Sequence, residues 1–312
     1  MKKTAVICAS SPTYVFALYV SLSTFFKNSP KLAQEADVYV YAWNWNDDLK
    51  RLISSCGPVT IEDYELPANI ERTPFVMKFT PALFARFEGF NLLEKYQNVV
   101  CLDSDILVQK ELVGVLEEMT ENIGITRDSC PTVGHNFTAA PEGNYDLSRP
   151  CYNAGFLALK RNHLPVPGKE VAHWLYDMLK KCVNITYLGD QGIINLALQE
   201  FKLVPYVFSA LYNLPASSSW RKLKKAYIIH STGHRKFWCY YFFKDWYCAY
   251  AVWRAKGGTL ALRKNTRLWD KLLAKLGLQN RVFFELAPDG FKYPGKFILF
   301  TLKRWFYAIL DK

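Results

Sequence analysis

The 312-residue sequence predicts an α/β protein in which a Rossmann-like, mostly parallel sheet is flanked by helices. Two observations predict this fold class. Short apolar runs of strand length alternate with segments whose apolar residues recur at helical spacing, which is typical of a parallel sheet covered by helices. Hydrophobic residues make up 50% of the chain and aromatic residues 16%, so the chain has enough apolar surface for a core on both faces of the sheet.

The first half of the chain shows the clearest alternation. Its strands are short runs rich in valine and alanine, and its helices carry large apolar residues three or four positions apart, as at Phe84, Phe87 and Phe90. The predicted elements are a strand at 4–9, a helix at 14–26, a strand at 38–43, a helix at 47–53, a helix at 83–96, a strand at 98–102 and a helix at 112–119.

The second half yields fewer predicted elements. Strands are predicted at 156–159, 203–207 and 226–230. The segment 130–150 is polar and contains three prolines and two glycines, which predicts a loop over one face of the sheet. Asp190 stands in an N-cap-like position at the start of a further helix.

Positive charge is concentrated in the last 60 positions. The formal net charge is +11, and residues 253–312 contain 13 Lys and Arg against 4 Asp and Glu, a net of +9. We therefore predict a main domain at 1–252 and a basic segment at 253–312. Arg267, Lys271 and Lys275 form a stripe beside leucines, and aromatic residues interleave with basic ones at 296–312. This pattern indicates an amphipathic segment that binds an anionic membrane surface. The alternative is a C-terminal helix packed on the domain with a solvated charged face. No nucleic-acid motif appears, so nucleic acid is not an expected partner.

The cysteines and the N-terminus favour a cytoplasmic protein. None of the eight cysteines forms a Cys-x-x-Cys pair, which argues against zinc-ribbon and thioredoxin-like sites. The apolar run after Lys3 breaks at Ser10, too early for a signal peptide. No run reaches the ~18 apolar residues that a spanning helix needs.

A pair of carboxylates follows the strand at 98–102. Alternate residues of an extended chain point to the same side, so Asp103 and Asp105, on either side of Ser104, can converge. Two carboxylates that approach each other repel unless a cation lies between them. Mg²⁺ or Mn²⁺ commonly bridges carboxylates to phosphate oxygens at the carboxyl ends of strands. The alternative is an ordinary acidic turn.

Four further motifs accompany this pair: 84–87 (Phe-Ala-Arg-Phe), 151–156 (Cys-Tyr-Asn-Ala-Gly-Phe), 188–192 (Leu-Gly-Asp-Gln-Gly) and 230–238 (His-Ser-Thr-Gly-His-Arg-Lys-Phe-Trp). The set resembles the retaining glycosyltransferases of family 8, in particular the bacterial lipopolysaccharide galactosyl- and glucosyltransferases. Their pattern is D-x-D, N-A-G, D-Q and H-x-x-G-x-x-K-P-W in that order. The resemblance covers about residues 4 to 240 and implies a GT-A fold, a UDP-sugar donor and Mn²⁺.

The resemblance also implies the role of each matching residue. Asp103, Asp105 and His230 would hold the metal, and an imidazole ligand favours Mn²⁺ over Mg²⁺, although Mg²⁺ remains an alternative. A histidine of the core is the other interpretation of His230. The residues expected to bind the donor are Tyr14, Arg86, Asp103, Ser104, Asn153, Gly233 and Lys236, and those expected around the reacting sugar are Asp128, Asp190 and Gln191.

Several of these residues have simpler interpretations. Arg86 could be a solvated helical arginine, Asp128 a loop carboxylate and Tyr14 a residue packed inward. Two positions depart from the family pattern: Phe237 replaces its proline, and the 10–13 segment lacks the acidic residue that usually contacts uracil.

The expected activity is retaining transfer of galactose or glucose from a UDP-sugar to a lipid-linked saccharide, a lipopolysaccharide or lipooligosaccharide core. The expected location is the inner face of the cytoplasmic membrane, with the protein bound peripherally. Gln191 is a poor nucleophile, so we favour front-face attack by the acceptor hydroxyl. The alternatives are an inverting GT-A transferase and a non-catalytic or self-glycosylating sugar-nucleotide-binding protein.

Overall fold

The computed structural model describes residues 2–67, 70, 80–187, 189–233, 236–240 and 243–258. The predicted amphipathic stripe and the 296–312 segment lie outside the described residues. The strands are β1 (Thr4–Ser10), β2 (Ala36–Ala42), β3 (Thr60–Asp63), β4 (Asn98–Leu102), β5 (Ile106–Val108), β6 (Ile123–Thr132), β7 (Pro150–Lys160), β8 (Pro205–Phe208), β9 (Leu214–Pro215) and β10 (Ile228–His230).

Helices follow most of the strands, as the alternation of the sequence predicts. Short 3-10 helices lie at Pro81–Phe87, Val133–Asn136, Arg161–His163 and Ala210–Tyr212. The α-helices are α1 (Val15–Asn28), α2 (Pro30–Glu35), α3 (Asp47–Ser54), α4 (Glu88–Leu92), α5 (Gly114–Glu118), α6 (Gly168–Cys182), α7 (Asp190–Glu200), α8 (Trp220–Leu223), α9 (Phe237–Tyr240) and α10 (Lys244–Ala255).

The larger sheet has seven strands in the order β3-β2-β1-β4-β7-β6-β8. Four of its neighbouring pairs are parallel, and β7 runs antiparallel to both β4 and β6. The prediction of a mostly parallel sheet with flanking helices is therefore confirmed. The reversed β7 has a direct consequence, because its first residues lie at the edge where the parallel strands end. Leu102, the last residue of β4, pairs with Phe156 of β7.

A smaller sheet extends this edge, with the strand order β5-β10-β9. β5 starts directly after Asp105, and β10 ends at His230. The two strands are antiparallel, and Ile106 pairs with His230. The backbone thereby brings the end of β10 beside the carboxylate pair.

Hydrophobic cores cover both faces of the larger sheet. Along β1, Val6 and Cys8 belong to one core, whereas Ala5 and Ile7 belong to the other. The first core includes side chains of α1 and α10, and the second includes those of α4, α6 and α7. This two-sided burial explains why the central strands are continuously apolar rather than alternating.

Some predicted elements were wrong in detail. The single helix predicted at 83–96 is a 3-10 helix, Pro81–Phe87, followed by the short α4. The segment 130–150 is a loop only in its middle, because β6 extends to Thr132 and a 3-10 turn follows. Asp190 is not the N-cap of α7: Gly189 holds that position with a φ of 64°, and Asp190 is the first helical residue. Several strand and helix ends differ from the prediction by a few residues.

The last described helix, α10, packs against α1. The rings of Trp246 and Tyr250 contact Phe16, and Trp253 contacts Tyr19. Trp253 is fully buried. The predicted division between residues 252 and 253 falls inside this helix. Among the described residues, no helix combines the length and the apolar character that crossing a bilayer requires.

Candidate active site and metal centre

A cavity of about 490 Å³ opens where the strands of the larger sheet end. It is lined by the last residues of β1 and β4, the 3-10 helix Pro81–Phe87, the turn after β4, His230 at the end of β10, and Tyr14 directly before α1. Eight of the residues singled out from the sequence line this cavity: Tyr14, Arg86, Asp103, Ser104, Asp105, His230, Gly233 and Lys236. The other four, Asp128, Asn153, Asp190 and Gln191, are joined to these residues by hydrogen bonds, directly or through neighbours.

Two carboxylates and an imidazole converge in the cavity. His230 Nε2 lies 3.3 Å from Asp103 Oδ2 and 3.2 Å from Asp105 Oδ1. One ligand atom from each residue lies within 4.8 Å of the others. This spacing and this mixed nitrogen and oxygen donor set fit a divalent metal ion.

The second ring nitrogen of His230 provides an independent test of this assignment. Nδ1 lies 2.9 Å from Oδ1 of Asn213, a buried residue. If Nδ1 donates to this oxygen, Nε2 presents its lone pair to the space between the carboxylates. Histidines that bind metals usually donate their other N–H in this way. This contact is the one expected of a metal-binding histidine.

Gly155 leaves room for the imidazole ring. A Cβ at position 155 would lie 2.5 Å from Cε1 and 2.6 Å from Nδ1 of His230. The backbone of Gly155 also accepts a hydrogen bond from the N–H of Asp103, at 3.1 Å. The glycine thus holds Asp103 through its carbonyl and faces His230 with no side chain.

Gly155→Ala is expected to push the His230 ring away from the carboxylates and to weaken Mn²⁺ binding about tenfold or more. Calorimetric titration of the purified protein with Mn²⁺ measures this. Gly114→Ala is the matched control, because an added Cβ there meets no atom within 4 Å. Equal affinity in the two variants would contradict this role of Gly155.

Lys236 forms an ion pair with Asp105, and its ammonium also donates to the Ser231 carbonyl at 3.0 Å. Ser231 Oγ in turn donates to the Asp105 carbonyl at 3.1 Å. Burial would by itself raise the pKa of Asp105, but Lys236 and His230 outweigh it and hold that pKa well below its usual range. The cavity therefore contains an ionised Asp105 and a cationic lysine side by side.

Arg86 joins Asp103 to Asp190. Its guanidinium pairs with Asp103 through one terminal nitrogen and with Asp190 through the other. Arg86 is only 7% exposed, which excludes a solvated helical arginine. Burial raises the pKa of Asp190 to about 6, although Arg86 opposes the shift. Because both terminal nitrogens contact carboxylates, Arg86 orients acidic groups in the described structure.

Gln191 and Asn153 lie just behind the cavity wall. The Gln191 amide donates to Asn136 Oδ1 at 3.1 Å and accepts from the N–H of Ala154 at 3.4 Å. Asn153 Nδ2 donates to Asp128 Oδ2 at 2.5 Å. Asp128 is therefore tied to the site, although it lies at the outer end of the network.

Tyr14 stands at the mouth of the cavity, directly before α1, and its ring packs edge-on against Trp238. Ser11 also lines the cavity, and its buried Oγ has no hydrogen-bond partner among the described residues. The hydroxyl is therefore a candidate donor or acceptor in the segment that lacks an acidic residue.

Sequence reasoning missed Asn213 and Ser231 as parts of the site. Asn213 is a single polar residue in an otherwise apolar run, Leu211 to Leu214, and such a residue carries no motif by itself. Ser231 belongs to the motif that starts at His230, but its function depends on the antiparallel contact with Asp105, which spacing does not reveal.

Comparisons with known proteins agree with this architecture. The sequence profile of the family described as Glycosyl transferase family 8 matches residues 5–241. The bifunctional glycosyltransferase WbbM, in its apo form, is 16% identical with a TM-score of 0.62, over 88% of this chain and 51% of that chain. Galactosyltransferase LgtC, in complex with donor and acceptor sugar analogs, is 16% identical with a TM-score of 0.53, over 81% of this chain and 99% of that chain.

A third similar structure is the glycosyltransferase GlyE from Streptococcus pneumoniae TIGR4. It is 17% identical with a TM-score of 0.53, over 84% of this chain and 66% of that chain. The chain thus spans about half the length of WbbM (51%) and nearly all of LgtC (99%). A search of curated protein sequences gives no match.

Proposed function

Since the chain belongs to glycosyltransferase family 8 and has the GT-A fold, we propose that it is a retaining hexosyltransferase. It transfers galactose or glucose from a UDP-sugar to a lipopolysaccharide or lipooligosaccharide core. The observation that carries the proposal is the convergence of Asp103, Asp105 and His230 beside Lys236 in one cavity. Two carboxylates and a cation around an open space are what a metal-bound diphosphate requires.

Each residue has a defined part in the proposed reaction. Asp103, Asp105 and His230 would hold a divalent ion, which would offset negative charge on the leaving diphosphate. Lys236 adds a positive point charge beside the diphosphate. Gly233 leaves space for phosphate oxygens, because it has a φ of 67° and a Cβ added there would meet no atom within 4 Å. The diphosphate then leaves with the electron pair of the anomeric carbon–oxygen bond.

The acceptor hydroxyl attacks on the same face from which the diphosphate leaves. Its proton passes to a phosphate oxygen of the leaving group, and the configuration at the anomeric carbon is retained. Arg86 pairs with both Asp103 and Asp190 and thereby holds Asp190 beside the cavity. Gln191 follows Asp190 directly in α7, and its amide oxygen would stabilise positive charge on the ring. Ser11 and Tyr14 are the candidates for contact with the base.

A donor screen tests the proposal. UDP-galactose, UDP-glucose and the corresponding GDP-sugars are incubated with the purified chain and Mn²⁺, and release of the nucleoside diphosphate is measured with and without excess EDTA. We expect release from one UDP-hexose, and loss of that release with EDTA. Transfer to an added core saccharide, rather than labelling of the chain itself, separates the enzyme from a self-glycosylating protein. NMR of the product gives the anomeric configuration, and an inverted product would contradict retention.

We also propose that the basic segment anchors the enzyme to the inner face of the cytoplasmic membrane. The support is the net charge of +9 in residues 253–312 and the stripe of Arg267, Lys271 and Lys275 beside leucines. A lipid-linked acceptor would give such a segment a purpose. Glutamine at all three stripe positions is expected to weaken binding to anionic vesicles by about 3 kcal/mol, since each basic residue near the surface contributes about 1 kcal/mol.

Co-sedimentation with phosphatidylserine vesicles measures this effect. The matched control replaces Lys169, Lys180 and Lys181 by glutamine, because these exposed lysines of α6 give the same change in net charge. Unchanged binding in the stripe variant would contradict the membrane role. If the basic segment is removed by truncation instead, the shortened protein should end after residue 258, since Trp253 is part of the core.

A further inference from the structure

Asn213 is a buried amide that lies between the metal triad and the pair Asn153 and Asp128. It follows the 3-10 turn Ala210–Tyr212 and precedes β9, which runs parallel to β10. Its Oδ1 lies 2.9 Å from His230 Nδ1, and its Nδ2 lies 2.6 Å from Asn153 Oδ1. The amide therefore contacts a metal ligand on one side and a predicted donor-binding residue on the other.

Asp128, Asn153, Asn213 and His230 form a series of hydrogen bonds. The carboxylate of Asp128, at the outer end, sets the direction of each bond. The carboxylate of Asp128 can only accept when ionised, so Asn153 must present its Nδ2 to it. Asn153 Oδ1 then faces inward, where it accepts from the N–H of Gly155 at 2.9 Å. The same oxygen can accept only from Nδ2 of Asn213, which turns Asn213 Oδ1 toward the imidazole.

An oxygen at this position accepts but does not donate, so Nδ1 of His230 must carry a proton. Nε2, 3.2 and 3.3 Å from the two carboxylates, is then the nitrogen that a metal ion between them would bind. We propose that Asn213 is a positioning residue that selects the metal-binding tautomer of His230. Asp128, at the far end of these hydrogen bonds, sets the direction in which each of them donates. This inference rests on the metal site of the proposed function.

The surroundings hold Asn213 in place. The ring of Tyr212 stacks on Tyr227 with centroids 4.3 Å apart, and its hydroxyl donates to Glu118 at 2.9 Å. The N–H of Tyr227 donates to the Leu211 carbonyl at 2.8 Å. Asn213 is 7% exposed, so water does not compete freely for its amide. A fixed backbone and a buried amide are what a positioning residue requires.

Asp128 would affect metal binding without contacting the metal ion itself. Asp128 reaches His230 only through two amides, and Thr126 is the other partner of Asn213, at 3.3 Å from Nδ2 to Oγ1. A change in the hydrogen bonding of Asp128 is therefore transmitted through the two amides to His230. A change at His230 is transmitted to Asp128 in the same way, because the two sites are coupled at equilibrium.

The test uses the full-length protein without donor or acceptor. ¹⁵N NMR of histidine-labelled protein reports which nitrogen of His230 carries the proton, and calorimetric titration reports the affinity for Mn²⁺. In the wild type, Nδ1 is expected to be protonated. Asn213→Leu, which has a similar size and no acceptor, is expected to give a mixture of tautomers and to bind Mn²⁺ about 10- to 100-fold more weakly. Asn213→Ala serves the same purpose if the leucine variant does not fold.

Two variants separate positioning from simple loss of stability. Asn213→Asp keeps an acceptor for Nδ1 although it gives up the donor to Asn153, so it is expected to retain the Nδ1 proton that Asn213→Leu loses. Asn195→Ala is the structural control: Asn195 is 1% exposed and bonds the backbone of Tyr152 at both ends, without contact to His230. It is expected to lower Tm and to leave the His230 tautomer unchanged.

The outcomes distinguish this inference from the proposed function. Wild-type tautomer and Mn²⁺ affinity in folded Asn213→Leu or Asn213→Ala would overturn the role of Asn213 and leave the metal site intact. A wild-type protein that binds no Mn²⁺ would overturn the metal site, while the ¹⁵N measurement would still decide whether Asn213 selects the tautomer.

Discussion

Asp105→Asn is expected to abolish sugar transfer, with a loss of about 10³-fold or more, because it removes a charged metal ligand and the ion pair of Lys236. It is also expected to destabilise the fold by roughly 3 kcal/mol, since Lys236 would be left as a largely buried cation without its carboxylate. Transfer rates and urea unfolding measure the two effects separately.

A double variant tests whether these effects have different causes. Asp105→Asn combined with Lys236→Gln removes both charges, so most of the lost stability should return while transfer stays absent. A single Asp105→Asn variant that retains full activity, or full activity of the wild type in excess EDTA, would refute the metal assignment. A double variant no more stable than the single one would show that the ion pair does not hold the site together.

Lys236→Ala is expected to slow transfer by about 10²- to 10³-fold, the scale for the loss of one preorganised charge at a developing anion. Lys236→Arg should recover only part of this loss, because a planar guanidinium does not replace a compact ammonium between Asp105 and the Ser231 carbonyl. Single-turnover transfer from the UDP-sugar is the measurement.

Lys180→Ala is the control for this series, since Lys180 is exposed on α6 and does not line the cavity. Loss of rate in both variants would indicate a general effect of charge on the donor. A near wild-type rate for Lys236→Ala would mean that Lys236 only neutralises Asp105 in the folded protein.

The sequence was most informative where a strand ends in polar residues. Asp103 and Asp105 directly follow an apolar run, so their place at the edge of the larger sheet follows from the sequence. His230 ends another apolar run, but it reaches them through the antiparallel pairing of β10 with β5, which the sequence does not reveal. Direction within the sheet was not predictable in the same way. Apolar runs do not reveal whether β7 is antiparallel, and that reversal is what carries Asn153 to the edge where β4 ends.

Long-range contacts explain the remaining differences. The helix predicted at 83–96 tightens into a 3-10 helix at its start, where Arg86 is buried between Asp103 and Asp190. Its apolar spacing is compatible with either helix type. Asn213 went unnoticed because its hydrogen bonds reach His230 and Asn153, both far away in the sequence. A pattern within a short window does not contain such partners.

The packing of α10 on α1 also governs how the chain can fold during synthesis. Phe16 and Tyr19 emerge from the ribosome early, yet their aromatic partners Trp246, Tyr250 and Trp253 are among the last described residues to appear. One side of the first βα unit therefore stays uncovered until α10 is made, which favours slow folding and exposes the nascent chain to aggregation.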